Sequence, residues 1–146
     1  MRKMIGIVTL VLLLAACGGN GASGADGVLV INDRVFLTQM QAIQQEPETY
    51  LGRTIRYEGI FLSSYWPPTS EYFFYVVRFG DDCCGIGGVV GFELYLGDYA
   101  PFEDNAWVEV TGTLEEYADE STGLEFLRIR VLAIEELDER GQEFVG

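Results

Sequence analysis

Cys83 and Cys84 are neighbours in the run Arg78-Phe79-Gly80-Asp81-Asp82-Cys83-Cys84-Gly85-Ile86-Gly87-Gly88. Adjacent thiols invite three kinds of chemistry. As thiolates they bind soft ions such as zinc or Cu(I). Two neighbours seldom reach one ion without strain, so Asp81 and Asp82 would have to complete the set, although carboxylates favour harder ions. As an oxidised pair they close a small strained ring, a disulfide that stiffens the loop and is easily reduced. As free thiols they are small, readily buried side chains that fill a tight turn. Arg78 is the only cation nearby, whereas Asp81 and Asp82 oppose thiolate formation. Catalytic redox work is therefore a weaker reading than binding or structure.

A third cysteine carries different chemistry. Arg2 and Lys3 precede an apolar stretch from Met4 to Ala16, which closes on Leu14-Ala15-Ala16-Cys17. That is the layout of a signal peptide, residues 1–16, too short for the roughly 20 residues a spanning helix needs. The closing four residues resemble the lipobox of bacterial lipoproteins. The resemblance implies diacylglyceryl and acyl modification of Cys17 and a lipid-anchored place on the extracytoplasmic face of the cell membrane. Stable anchoring takes more than one acyl chain. Export also places Cys83 and Cys84 where disulfides persist.

Composition removes several function classes. After cleavage, seven basic residues face 23 acidic ones, and Lys3 is the only lysine in the chain. No basic patch can form, so nucleic acid is excluded as a partner. Adsorption to anionic headgroups is equally disfavoured, leaving the lipid as the anchor. The chain has no histidine, which excludes Ser-His-Asp and Cys-His nucleophile activation and His-ligated zinc. The expectation is a non-enzymatic protein with no recognisable catalytic residues and no established cofactor.

The remaining candidates are aromatic and acidic. Tyr65, Trp66, Tyr72, Phe73, Phe74 and Tyr75 cluster along one predicted hairpin. With Arg78, the rings of Tyr65, Trp66 and Tyr72 make a candidate ligand face, since exposed rings stack on bases or sugars. Without positive charge the nucleic-acid version fails, which leaves a glycan; plain core and rim packing is the simpler account. Glu115-Glu116, Asp119-Glu120 and Glu135 to Glu139 match no calcium-loop spacing and read as solvated surface.

The elements that must position these groups follow from periodicity. Gly18 to Gly27 is a flexible glycine-rich tether, and with Cys17 it makes a segment 17–27. Val28 to Ile31 reads as a short strand, and Val35-Phe36 as a second extended piece. Thr38 can cap one short helix carrying Met40 and Ile43, stopped by Pro47 near Glu46. From Thr54 the period becomes two. Strands are predicted over 54–62, 71–79, 89–96, 106–114 and 124–134, with Gly59 as a bend and Trp66-Pro67-Pro68 as a turn. The acidic end is expected to start as a helix and to fray over 141–146. Five strands with glycines at their bends predict an all-β domain over 28–140, a small five-stranded antiparallel OB-like barrel. Trp107-Val108-Glu109-Val110-Thr111-Gly112 also resembles a strand common in bacterial OB-fold domains.

Across 35–130 the chain resembles the C-terminal domain of the YcgQ-like bacterial membrane proteins. The likeness rests on Arg78-Phe79, the cysteine pair, Val89 to Gly91, Trp107-Val108, Tyr50-Leu51-Gly52-Arg53-Thr54-Ile55 and Gly59. Gly85-Ile86-Gly87-Gly88 stands where the relatives carry an acidic step, so any such role would pass to Asp81 or Asp82. The resemblance implies an OB-like fold and an envelope system, with a permease-like membrane protein as partner. The function expected is that of an extracytoplasmic binding or accessory lipoprotein. Metal handling with zinc or copper, or a thiol/disulfide switch at Cys83 and Cys84, are the alternatives.

Overall fold

The structure, a computed structural model, describes residues 27–80, 88–120 and 122–145. Its elements in order are β1 (Leu29–Ile31), α1 (Phe36–Gln45), β2 (Thr54–Trp66), β3 (Glu71–Gly80), β4 (Val89–Tyr95), β5 (Trp107–Ala118), β6 (Glu125–Glu136) and β7 (Phe144–Val145). Strands β2, β3, β4, β6 and β5 close on one another in that order, because β2 pairs with both β3 and β5. Every pairing in the ring is antiparallel except β4 with β6, which run parallel. Numbered within the barrel, the ring is 1-2-3-5-4-1, the Greek-key closure of an OB-type barrel.

Closure depends on β2 bending between two partners. Thr54 to Ile60 pair with β5, and Ile60 to Trp66 pair with β3. Gly59 stands at the bend, where a Cβ would lie 2.7 Å from the Val77 carbonyl oxygen. Only glycine allows that approach. A second close approach lies at Gly112, beside the register shift in β5, where a Cβ would fall 2.4 Å from the Arg130 carbonyl oxygen.

Alternation fills the interior. Ile55, Tyr57 and Phe61 of β2 meet Val76, Phe92, Leu94, Val108, Val110, Leu114 and Ile129 in one buried cluster. Helix α1 adds Phe36, Met40 and Ile43, one apolar stripe at helical spacing. At ten residues it is too short to be stable alone. Burial of those side chains, worth roughly 1.5–3 kcal/mol each, holds it on the barrel.

Three expectations change. Val35 ends a 3-10 turn and Phe36 begins α1, so neither is extended; the Asn32 carboxamide accepts from the Arg34 N–H and starts the turn. The acidic end is not helical at first, since β6 runs on to Glu136. Nor is it frayed through 145: Phe144 and Val145 pair in parallel with Phe79 and Gly80, and Val145 is 2% exposed in the core.

Candidate functional site

The barrel presents two charged regions with different construction. The first is a seam. Past the Ile60–Val77 pair, β2 and β3 diverge, and both ends of the described chain fill the gap. Strand β1 pairs with Ile55 to Tyr57 on one side, and β7 pairs with β3 on the other. Arg78 plugs the space between them at 1% exposure. Its Nε donates to the Glu58 carbonyl oxygen at 2.7 Å, and its Nη1 to Asp33 Oδ1 at 2.5 Å. Its guanidinium lies 4.5 Å from the Phe36 ring centroid and 5.0 Å from that of Trp107. Trp107 donates to Glu58 Oε2 at 3.1 Å and stacks beneath Arg140. Arg78 thus commits its Nε and Nη1 within the seam, whereas the neighbouring Arg56 Nε is buried with no hydrogen-bond partner among the described residues.

The second region is the outer wall of β3, β4, β6 and β5. Glu93 of β4 stands opposite Tyr75 of β3 and Arg128 of β6. On β5, Glu115 is opposite Arg128 and accepts from Arg128 Nε at 2.7 Å and Arg130 Nε at 2.8 Å. Arg128 also lies over the rings of Tyr117, at 4.3 Å, and Tyr95, at 4.7 Å. Tyr117 donates its hydroxyl proton to Glu93 Oε2 at 2.7 Å.

These contacts separate the two carboxylates. Burial pushes Glu93 above its ordinary value; the Tyr117 hydrogen bond and Arg128 oppose this, and Asp119 adds to it. Glu115 is also pushed up by burial, but its hydrogen bonds to Arg128 and Arg130 outweigh that and hold it below the usual carboxylate range. Tyr75 is raised by burial and then by Glu93. Tyr117 is raised far above a normal phenol by burial and by its bond to Glu93.

Two lobes of a groove meet at Glu93. One, of about 920 Å³, runs from Tyr72 and Phe74 past Tyr95 to Arg128. The other, of about 720 Å³, is bounded by Trp66, Phe73, Tyr75, Val89 and Phe126. Thr69, Phe73, Glu93, Tyr117 and Asp119 line both. Volumes of this size suit small ligands, and a carboxylate with a displaced pKa among aromatic walls marks a candidate site.

The sequence-predicted residues divide. Tyr65, Trp66 and Tyr72 are exposed by 49%, 53% and 62% at the tip of the β2–β3 hairpin. The Tyr65 and Tyr72 rings are 5.0 Å apart, and Tyr72 stacks on Phe74. Arg78 does not join them, because the divergence of β2 from β3 draws its guanidinium into the seam. Cys17 and the run Asp81-Asp82-Cys83-Cys84 lie outside the described residues. The strands flanking that run meet at its base, where the Gly80 N–H donates to the Gly88 carbonyl at 2.7 Å. Among the described residues no three His, Cys, Asp or Glu side chains gather as a metal site. No helix among them is long and apolar enough to cross a membrane. Tyr75 belongs to the aromatic cluster read from the sequence, whereas Glu93, Tyr117 and Arg128 were not anticipated. Their signal is a lone carboxylate inside the apolar strand Val89 to Leu96, facing an Arg-x-Arg strand.

Strand order and bent first strand define a five-stranded OB-type barrel with an N-terminal helix and a groove on its outer wall. The chain belongs to the DUF1980 C-terminal domain family, whose model matches residues 20–145. Among solved structures, the chain is similar to the dimeric N-terminal domain of PriB protein from Thermoanaerobacter tencongensis, at 16% identity and a TM-score of 0.35. That match covers 59% of this chain and 97% of the other. Comparison with curated proteins finds no match.

Proposed function

We propose that this chain is a lipid-anchored binding protein of the extracytoplasmic membrane face, a non-enzymatic accessory module that captures a small ligand on its barrel wall. The two-lobed groove meeting at Glu93 carries the reading. Its walls are aromatic, its volume suits a small molecule, and its polar groups converge on one carboxylate. The signal-like segment closing on Leu14-Ala15-Ala16-Cys17 supports the anchor. The likeness of Arg78-Phe79, Cys83-Cys84 and Trp107-Val108 to YcgQ-like proteins supports service to a permease-like membrane protein. On this reading the lipid holds the acidic domain near the membrane and the groove delivers its ligand to that partner.

The test is made on full-length protein purified from the envelope. Intact mass should show cleavage before Cys17 and added acyl chains, absent in Cys17→Ala. Gentle native mass spectrometry should show a bound small molecule that Phe73→Ala removes. Unprocessed protein recovered inside the cell defeats the anchored reading. A ligand whose occupancy ignores Phe73→Ala defeats the groove.

A further inference from the structure

The wall already holds cations of its own. Arg128 lies against the faces of Tyr95 and Tyr117, and Arg130 lies 5.1 Å from the Tyr95 centroid. Glu115 binds both guanidinium groups. In that half, aromatic faces and a carboxylate together hold positive charge. The other half repeats the chemistry: Glu93 takes the place of Glu115, and Phe73, Tyr75 and Trp66 supply the rings. Arg128 is the one basic residue lining the groove among the described residues, and it is already bound to Glu115. Glu93 accepts one hydrogen bond, from Tyr117, among the described residues. Asp119, Glu120 and Glu125 add negative charge at the rim.

We infer that the groove binds a small organic ammonium ion, its charged head against Glu93 and its carbon groups against Phe73 and Tyr75. The inference rests on the binding reading above and adds the charge class of the ligand. Charge complementarity selects the cation: an anionic ligand would meet the groove carboxylates with no uncommitted basic partner. Each lobe has the volume that small ligands occupy. Burial already disfavours the ionised form of Glu93, and a cation beside it relieves that cost.

The probe is choline, compared with its neutral isostere 3,3-dimethylbutan-1-ol, by calorimetry and by NMR shifts on full-length protein in moderate salt. Choline should bind at least tenfold more tightly than the alcohol and shift Phe73, Tyr75 and Glu93. Glu93→Gln should weaken choline at least tenfold. Glu136→Gln, an equal charge change eight residues along β6 from Arg128, should weaken it less than twofold. Phe73→Leu keeps an apolar wall but loses the ring, and should weaken choline several-fold while leaving the alcohol unchanged. Equal losses in Glu93→Gln and Glu136→Gln would mean diffuse attraction and overturn the inference. Equal affinity for choline and alcohol overturns the charge class but leaves the groove a binding site. Tighter, Glu93-dependent binding of a trilysine peptide would overturn the small-molecule assignment. Absence of shifts with both probes overturns the ammonium inference, and the Phe73→Ala occupancy experiment then decides the binding reading separately.

Discussion

The seam around Arg78 and the wall around Glu93 both remove a charged group from water, and they do so to opposite ends. At the seam the two chain ends converge, and the buried guanidinium is answered by a carbonyl, a carboxylate and two rings. On the wall, Glu93 is half-buried with one phenolic donor. Glu115, on the next strand but one, has two guanidinium partners. A buried charge answered by a carbonyl, a carboxylate and rings holds structure together; one with a single donor is a place for something else to bind.

Breaking the seam should have the largest effect. Arg78→Met keeps much of the volume but removes the donor to the part-buried Glu58 carbonyl. The expected loss is about 2 kcal/mol in denaturant unfolding, with a fall of several degrees in Tm. Asp33 contributes little to that loss, because it is half exposed and regains water. Stability unchanged in Arg78→Met would mean that the seam is held by β1 and β7 alone. Glu115→Gln should cost less, about 1 kcal/mol, because its partners Arg128 and Arg130 are partly exposed. Its folded pKa lies below the ordinary 4.5. The stabilisation from Glu115 is therefore full above that value and is lost as pH falls through the folded pKa. Wild type and Glu115→Gln should thus converge in stability at acid pH.

Much of the barrel was legible because a closed sheet imposes period two on each strand. All five ring strands were placed, and Gly59 was recognised as a bend because glycine inside an aromatic strand has few other uses. Misread segments had local signals that a distant contact overrides. The tail is acidic, yet Phe144 and Val145 find the edge of β3. Val35-Phe36 is β-branched and aromatic, yet the Asn32 cap turns the chain there into the 3-10 turn before α1. Strand β2 runs four residues past its expected end at Leu62 because its hairpin partner continues through Tyr72. The site was less legible than the fold. Tyr65, Trp66 and Tyr72 were singled out as rings clustered on one hairpin, and they stand exposed at its tip; Arg78 was misplaced because nothing local tells where β2 and β3 part. Glu93 becomes a candidate only when β4, β5 and β6 bring Tyr117 and Arg128 to it.

The smallest expected effect sharpens the comparison most. Glu93→Gln preserves an acceptor for the Tyr117 hydroxyl and removes a charge that burial disfavours, so stability at neutral pH should change by no more than about 0.5 kcal/mol. Its pH dependence carries the information. A carboxylate whose folded pKa is raised above its unfolded value weakens the fold when ionised. That penalty is complete above the folded pKa, shrinks as pH falls through it, and is gone below about 4.5. Relative to wild type, Glu93→Gln should therefore be favoured near neutrality and lose that advantage on acidification. Glu115→Gln should be disfavoured near neutrality and lose its disadvantage on acidification. Urea unfolding of both variants and wild type between neutral and acid pH reads both slopes. Opposite signs mean that one wall holds one carboxylate for structure and another at a cost to structure. The same sign for both would make Glu93 an ordinary partner of Arg128 and remove the groove's claim to an unmet charge.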